Sequence, residues 1–304
     1  MFRLLPTILA TTALISLASL PASAAPDWAK VNQEMGRDGA DQASGVKRFS
    51  FPRSDLKVML DGVEVKAGLA LGSWLAFQPT TGADATVMGD LVLTQDEIGP
   101  VMKRLLEGGV EVTAIHNHLL RADPFPMYMH VEGHGDAVKL ATTLKAAMAL
   151  SKTPLQPPAA AAAAAAPANP GFDVDKIATA MGRKGTLDGV IYKYNVARAE
   201  SIEAHHGVHV GTAHGAGIAI NFQDAGGGKV ATTGDFVLAE KEVAPVMRTL
   251  RDNGIDVTAL HSHMLDEEPR LAFMHFWGVG APEQIAGALR KALDQLPTQQ
   301  AAER

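Results

Sequence analysis

The clearest regularity along the chain is a helical stripe. Ile98, Val101, Met102 and Leu105 are apolar and three or four apart, so they share one helix face. The stripe returns as Val243, Val246, Met247 and Leu250, 145 positions on (243 − 98). Thr94-x-x-Glu97 predicts a capping box for the first helix; the second has Ala239 at that place, so this cap is not expected there. Pro100 and Pro245 predict that regular helix starts or kinks near them, and Gly108-Gly109 and Asn253-Gly254 end it. A shorter helix is predicted around Val31 and Met35, and again around Ile177 and Met181. A last one carries Leu140, Leu144 and Met148, or Ile285, Leu289 and Leu293.

Between these helices the period falls to two. Tyr192, Tyr194 and Val196 alternate with polar residues, as in a half-buried strand. Asp61-Gly62 predicts a hairpin turn between Val58-Met59-Leu60 and Val63-Glu64-Val65. Strands are expected to end at Phe77-Gln78 and Phe222-Gln223, and to carry Gly89-Asp90 and Gly234-Asp235. Val110 to Leu119 and Met127 to Val131 read as a hairpin whose loop holds Pro124 and Pro126. The fold class expected is α+β: two tandem homologous domains, each a largely antiparallel sheet with packed helices.

The duplication extends through most of both halves. Met35-Gly36-Arg37 answers Met181-Gly182-Arg183, and Val112-Thr113-Ala114 answers Val257-Thr258-Ala259. Residues 25–153 and 171–304 are read as the two repeat domains. Residues 154–170, with eight alanines flanked by prolines, are read as a semi-rigid linker. Residues 1–24 are read as an export signal: Arg3, an apolar run from Leu4 to Leu20, then Ala22-Ser23-Ala24. The expected location is secreted and periplasmic, with no transmembrane segment in the mature chain. The chain has no cysteine, which excludes disulfides, thiolate sites and a lipid-anchoring cysteine.

Composition narrows the function classes. A net charge of −6 without a basic stripe excludes a nucleic-acid partner. Gly226-Gly227-Gly228 lacks the Lys-Ser/Thr ending of a phosphate loop, so no nucleotide cofactor is expected.

The candidate chemistry is histidine. H-x-H-x(11)-H occurs as His116, His118, His130 and again as His261, His263, His275, using six of the 11 histidines. If position 118 pairs with 130 and 116 with 132, all three imidazoles of a repeat share one sheet face. Each repeat is then expected to hold a divalent transition metal (Zn, Cu, Ni or Fe). Asp90, Asp235 and Glu132 are the candidate acid/base groups, with Glu132 expected beside His116 and replaced by Trp277 in the second repeat. Glu97 and Glu242 read as helix-start residues. Two other readings stand beside this one. A binding module for an envelope glycan or small anion would line a groove with Trp74, Tyr128 and Trp277. A structural role would bury satisfied histidines. His205, His206, His209 and His214 form a second group found in the second repeat only, and His134 sits beside Asp136, a predicted helix cap. No nucleophile or acid/base pair is clear enough to decide between enzyme and binding protein.

Met88-Gly89-Asp90-Leu91-Val92-Leu93, Ala114-Ile115-His116-Asn117-His118-Leu119 and the run from Ala259 to Arg270 resemble the LppY/LpqO family of exported bacterial proteins. The stretch Phe51-Pro52-Arg53-Ser54-Asp55-Leu56 adds to the resemblance. It implies a cell-envelope protein with a domain of unknown function in tandem, and supplies no activity.

Overall fold

Each half of the chain folds its alternating segments into one six-stranded antiparallel sheet. The computed structural model describes residues 25–156, 168–204 and 207–299; the expected export signal, the alanine run, His205 and His206 lie outside them. The first repeat runs α1 (Trp28–Met35), β1 (Ala40–Asp41), β2 (Lys47–Pro52), β3 (Val58–Leu60), β4 (Val63–Val65), α2 (Ala67–Ala70), β5 (Gly72–Pro79), β6 (Asp84–Leu93), α3 (Gln95–Glu107), β7 (Glu111–His116), β8 (Met127–Asp136) and α4 (Ala137–Met148). The second runs α5 (Val174–Met181), β9 (Thr186–Asp188), β10 (Ile191–Val196), β11 (Glu203–Ala204), β12 (Val208–His209), β13 (Ile218–Gly226), β14 (Lys229–Leu238), α6 (Glu240–Asp252), β15 (Asp256–His261), β16 (Ala272–Gly280) and α7 (Pro282–Leu293). The sheet orders β1-β2-β5-β6-β8-β7 and β9-β10-β13-β14-β16-β15 are the same. The expected α+β class with two tandem units is what forms. No described helix is long and apolar enough to cross a membrane.

Strand alternation gives each sheet an apolar and a polar face. On β2, Phe49 and Phe51 are fully buried while Arg48 and Ser50 point the other way. The apolar face packs under the repeat's own helices: Phe49, Leu75, Phe77 and Met129 meet Val31, Val101, Leu105 and Leu144. In the second repeat Tyr194, Ile220 and Phe222 share a cluster with Ile177, Leu250 and Leu289. Each such side chain contributes about 1.5–3 kcal/mol when fully buried. The two remaining faces meet each other, so the layer order is helices, sheet, sheet, helices. An apolar seam of Leu60, Leu69, Leu119 and Tyr128 against Ile191, Ala231 and Trp277 closes part of that contact.

The Asp61-Gly62 turn forms as expected, with φ of 49° and 82°. The helix α3 begins at Gln95 and carries Pro100 within it. Glu97 accepts from the Thr94 backbone N–H at 2.9 Å, and Glu242 accepts from that of Ala239 at 2.8 Å. The glutamate half of the capping box is therefore shared, although Ala239 has no hydroxyl. Both glutamates also meet a buried arginine. Arg53 donates to Glu97 and to the Val92 carbonyl at 2.8 and 2.7 Å; Arg198 donates to Glu242 and the Val237 carbonyl at 2.7 and 2.6 Å. Asp55 and Glu200 complete the two networks.

Candidate metal centre

The strands β6 and β8 set Asp90 opposite His130, and β14 and β16 set Asp235 opposite His275. On β7, His116 lies opposite Tyr128 and Ala114 opposite His130. The expected pairing of 118 with 130 and 116 with 132 does not form. The strand ends at His116, a bulge at Thr113 shifts its register, and the loop to Met127 carries Pro124 and Pro126, which have no N–H for a ladder. His118 consequently projects from the loop. Glu132 lies opposite Glu111 and not beside His116.

The bulges have a use that the strand pattern did not show. Thr113 Oγ1 donates to the His263 carbonyl at 2.6 Å, and Thr258 Oγ1 donates to the His118 carbonyl at 2.5 Å. Each repeat thus anchors the histidine loop of the other, about an approximate twofold axis. The imidazoles interleave: His116 stacks on His261 with ring centroids 3.5 Å apart, His118 on His275 at 3.7 Å, and His130 on His263 at 3.8 Å. All six expected histidines come together, but in one cluster.

Among the described residues, four groups place ligand atoms within 4.8 Å of one another: His116, His118, His261 and His275; His130, His261 and His263; Asp90, His118 and His130; Asp235, His263 and His275. The all-histidine groups cross between repeats. Neither three-histidine set expected from a single repeat is among them. Asp90 and Asp235 each belong to one of these groups; Glu132 belongs to none of them and lines a small adjoining void with Trp74, His130, His214 and His263.

Several rings are oriented by backbone carbonyls. His116 Nδ1 is 3.2 Å from the Asn117 carbonyl, His261 Nδ1 is 3.0 Å from that of Ser262, and His275 Nδ1 is 3.1 Å from that of Gly234. A carbonyl only accepts, so these protons sit on Nδ1 and each Nε2 keeps a lone pair. Nε2 of His116, His118, His130 and His263 is buried without a hydrogen-bond partner among the described residues. His275 Nε2 and His261 Nε2 face each other at 2.9 Å.

Burial and neighbouring imidazoles hold these rings neutral. His116 is pushed down to about 3, by burial first and by His261 next. His118, His130, His263 and His275 lie well below the ordinary value, again with burial as the leading cause. Burial and the proximity of Asp235 raise Asp90 to about 8; burial raises Asp235 to about 7. Asp90 Oδ2 lies 3.7 Å from His118 Nε2, beyond hydrogen-bonding distance.

A cavity of about 720 Å³ opens beside the cluster, between the sheets, lined by Arg48, Trp74, Tyr128 and Lys193 among others. Of the groove residues expected, Trp74 and Tyr128 line it; Trp277 is buried in the apolar seam. His209 meets Ser201, and among the described residues neither it nor His214 joins a metal-holding group. His134 lies on β8 near Thr86, and Asp136 caps α4 by accepting from Lys139 N at 2.9 Å. Sequence reasoning missed Thr113 and Thr258, although both stand in the matched Val-Thr-Ala triplets, and missed Arg48.

The model of the family described as "Domain of Unknown Function (DUF1259)" matches residues 29–150 and 175–295. The chain belongs to this family and carries its domain twice in tandem. No curated protein matches the chain. Among solved structures, a trimeric bacterial microcompartment shell protein, PduB, matches at 11% identity over 86% of this chain and 96% of that one, with a TM-score of 0.19. A superposition that weak carries no argument.

Proposed function

We propose that this protein binds a divalent transition metal in a composite centre between its two repeats, with imidazole ligands drawn from both. The observation that carries the reading is the group His116, His118, His261 and His275, two from each repeat, with ligand atoms within 4.8 Å of one another, and within it the facing pair of His261 and His275. Their Nε2 atoms stand 2.9 Å apart. Both Nδ1 protons are committed to carbonyls, so two lone pairs point at each other in a buried site. A cation relieves that repulsion. Imidazole nitrogens bound at about 2.0–2.1 Å lie about 2.9 Å apart at a right angle and about 3.4 Å apart at a tetrahedral one. The donor set of neutral imidazoles and carboxylates suits Zn, Cu, Ni or Fe, and carbonyl-held Nδ1 groups are the usual outer support of such ligands. A metal here supplies Lewis acidity and an acidified water. In this reading Asp90 and Asp235, which line the cavity, hold or move a proton. The leader-like start at Arg3 and the LppY/LpqO-like motifs support an exported, cell-envelope setting.

Elemental analysis of the full chain, purified without a histidine tag, tests the reading. Near-stoichiometric metal is expected. Replacing His116, His118 and His130 together by Gln removes nearly all of it if the centre is composite, and only half if each repeat holds its own ion. A metal-free protein whose melting ignores chelators overturns the proposal.

A further inference from the structure

The cavity wall away from the histidines carries a second cluster that the metal reading does not use. Arg48 on β2 and Lys193 on β10 occupy matching positions (193 − 48 = 145) and line the same cavity. The Arg48 guanidinium stacks on the Trp74 ring with 4.0 Å to the centroid, and its Nη1 donates to the Ala213 carbonyl of the other repeat. It is thus held in one place by an aromatic face and a backbone acceptor.

Its charge is the anomaly. Arg53 and Arg198 each lie against two carboxylates. Among the described residues, Arg48 has no carboxylate within ion-pair distance. Burial pushes it down to about 10, which leaves it cationic at neutral pH. A half-buried, fixed and uncompensated guanidinium in a concave site is a fork awaiting an oxyanion.

We infer that this cavity binds a small organic anion, with its carboxylate or phosphate group held by Arg48 and assisted by Lys193, whose Nζ also meets Asp188 at 2.6 Å. Ser50, Trp74 and Asp90 lie in one row across β2, β5 and β6. The wall from β2 to Asp90 therefore spans two strand spacings, about 10 Å. A compact acid anchored at Arg48 lies along Trp74 and presents its far end to the aspartates and histidines. The cavity, about 720 Å³, falls within the usual range of about 300–1,000 Å³ for small-molecule sites. The repeats differ here: Trp74 matches Ala219, and Trp74 packs against Gly215, where a Cβ would come within 2.8 Å of the indole. The subsite rests on the cavity and not on the metal, so the two readings fail separately.

The test is titration of the full chain with orthophosphate, succinate and uncharged succinamide, followed by tryptophan fluorescence and melting. Saturable binding of either anion, without binding of succinamide, is expected; phosphate alone or succinate alone identifies which acid the site prefers. Arg48→Gln weakens that binding by at least about tenfold, Lys193→Gln weakens it less, and Lys103→Gln on the outer helix leaves it unchanged. If Arg48→Gln does not fold, Lys193→Gln decides. Absence of binding by both anions, or unchanged binding in both cavity variants, overturns the inference. Metal content is measured on the same samples: full metal without anion binding sinks this inference alone, and anion binding by a metal-free wild type sinks the metal reading alone.

Discussion

The outer and inner faces of the two sheets follow different rules. Under the helices, Phe49, Phe51, Leu75 and Phe77 match Tyr194, Val196, Ile220 and Phe222. Both sets are buried; Phe77 and Phe222 are identical, and the other three pairs hold only their apolar character in common. On the inner face some positions are identical, some keep only their chemical character, as Arg48 and Lys193 do, and some change in kind. Asp90 matches Asp235 and the six histidines match in pairs, whereas Trp74 faces its counterpart Ala219, and Glu132 its counterpart Trp277. The outer face needs volume, which many residues supply. The inner face buries charge and lone pairs at a cost in stability, so identity there marks shared chemistry, and divergence marks the one-sided cavity.

The largest effect expected lies in the outer scaffold. Glu97→Gln and Glu242→Gln each leave a buried arginine short of a partner and should cost about 3–5 kcal/mol in chemical denaturation, with metal content unchanged. Equivalence of the two repeats in the scaffold requires the two losses to be similar; a silent Glu242→Gln breaks it. The inner face should show itself through pH. In chelator-treated protein the imidazoles are neutral when folded and protonate near 6.5 when unfolded, so the unfolded chain binds more protons and stability falls as pH drops from about 6.5 toward about 3. The aspartates act oppositely: Asp90, raised from 3.8 to about 8, binds more protons when folded, so stability falls as pH rises toward 8. Asp90→Asn should flatten the decline between about 6.5 and 8 and steepen the fall between about 6.5 and 4, where the raised aspartate otherwise opposes the histidines, as melting curves across that range will show. The smallest effect expected is at the rim, where Arg121 bridges Asp61 and Asp256 at 2.8 and 3.1 Å. Arg121→Ala should cost less than about 1 kcal/mol and nothing at high salt, since the ions are exposed.

Much of this was legible in the residues. The duplication, the α3 and α6 stripes and the Asp61-Gly62 turn follow from period and spacing, and the repeat match singled out Asp90 and Asp235 as shared carboxylates. The assembly does not. Alternation on β8 says that His130 and Tyr128 share a face, but not what covers that face. A bulge at Thr113 has no marker in the hydrophobic pattern, and without it the hairpin register comes out wrong. The Arg53–Glu97 contact links residues 44 positions apart, a distance at which local patterning is silent.

The reciprocal threonine anchors carry one more consequence. A contact in which Thr113 holds the His263 loop while Thr258 holds that of His118 is isologous, the kind that joins identical subunits across a dyad. The chain is, in structural terms, a symmetric dimer made continuous. Two copies of one gene product must present the same residue on both sides of their axis. Joining them in a single chain removes that obligation, and a tryptophan can then stand opposite an alanine without disturbing the histidines on the axis.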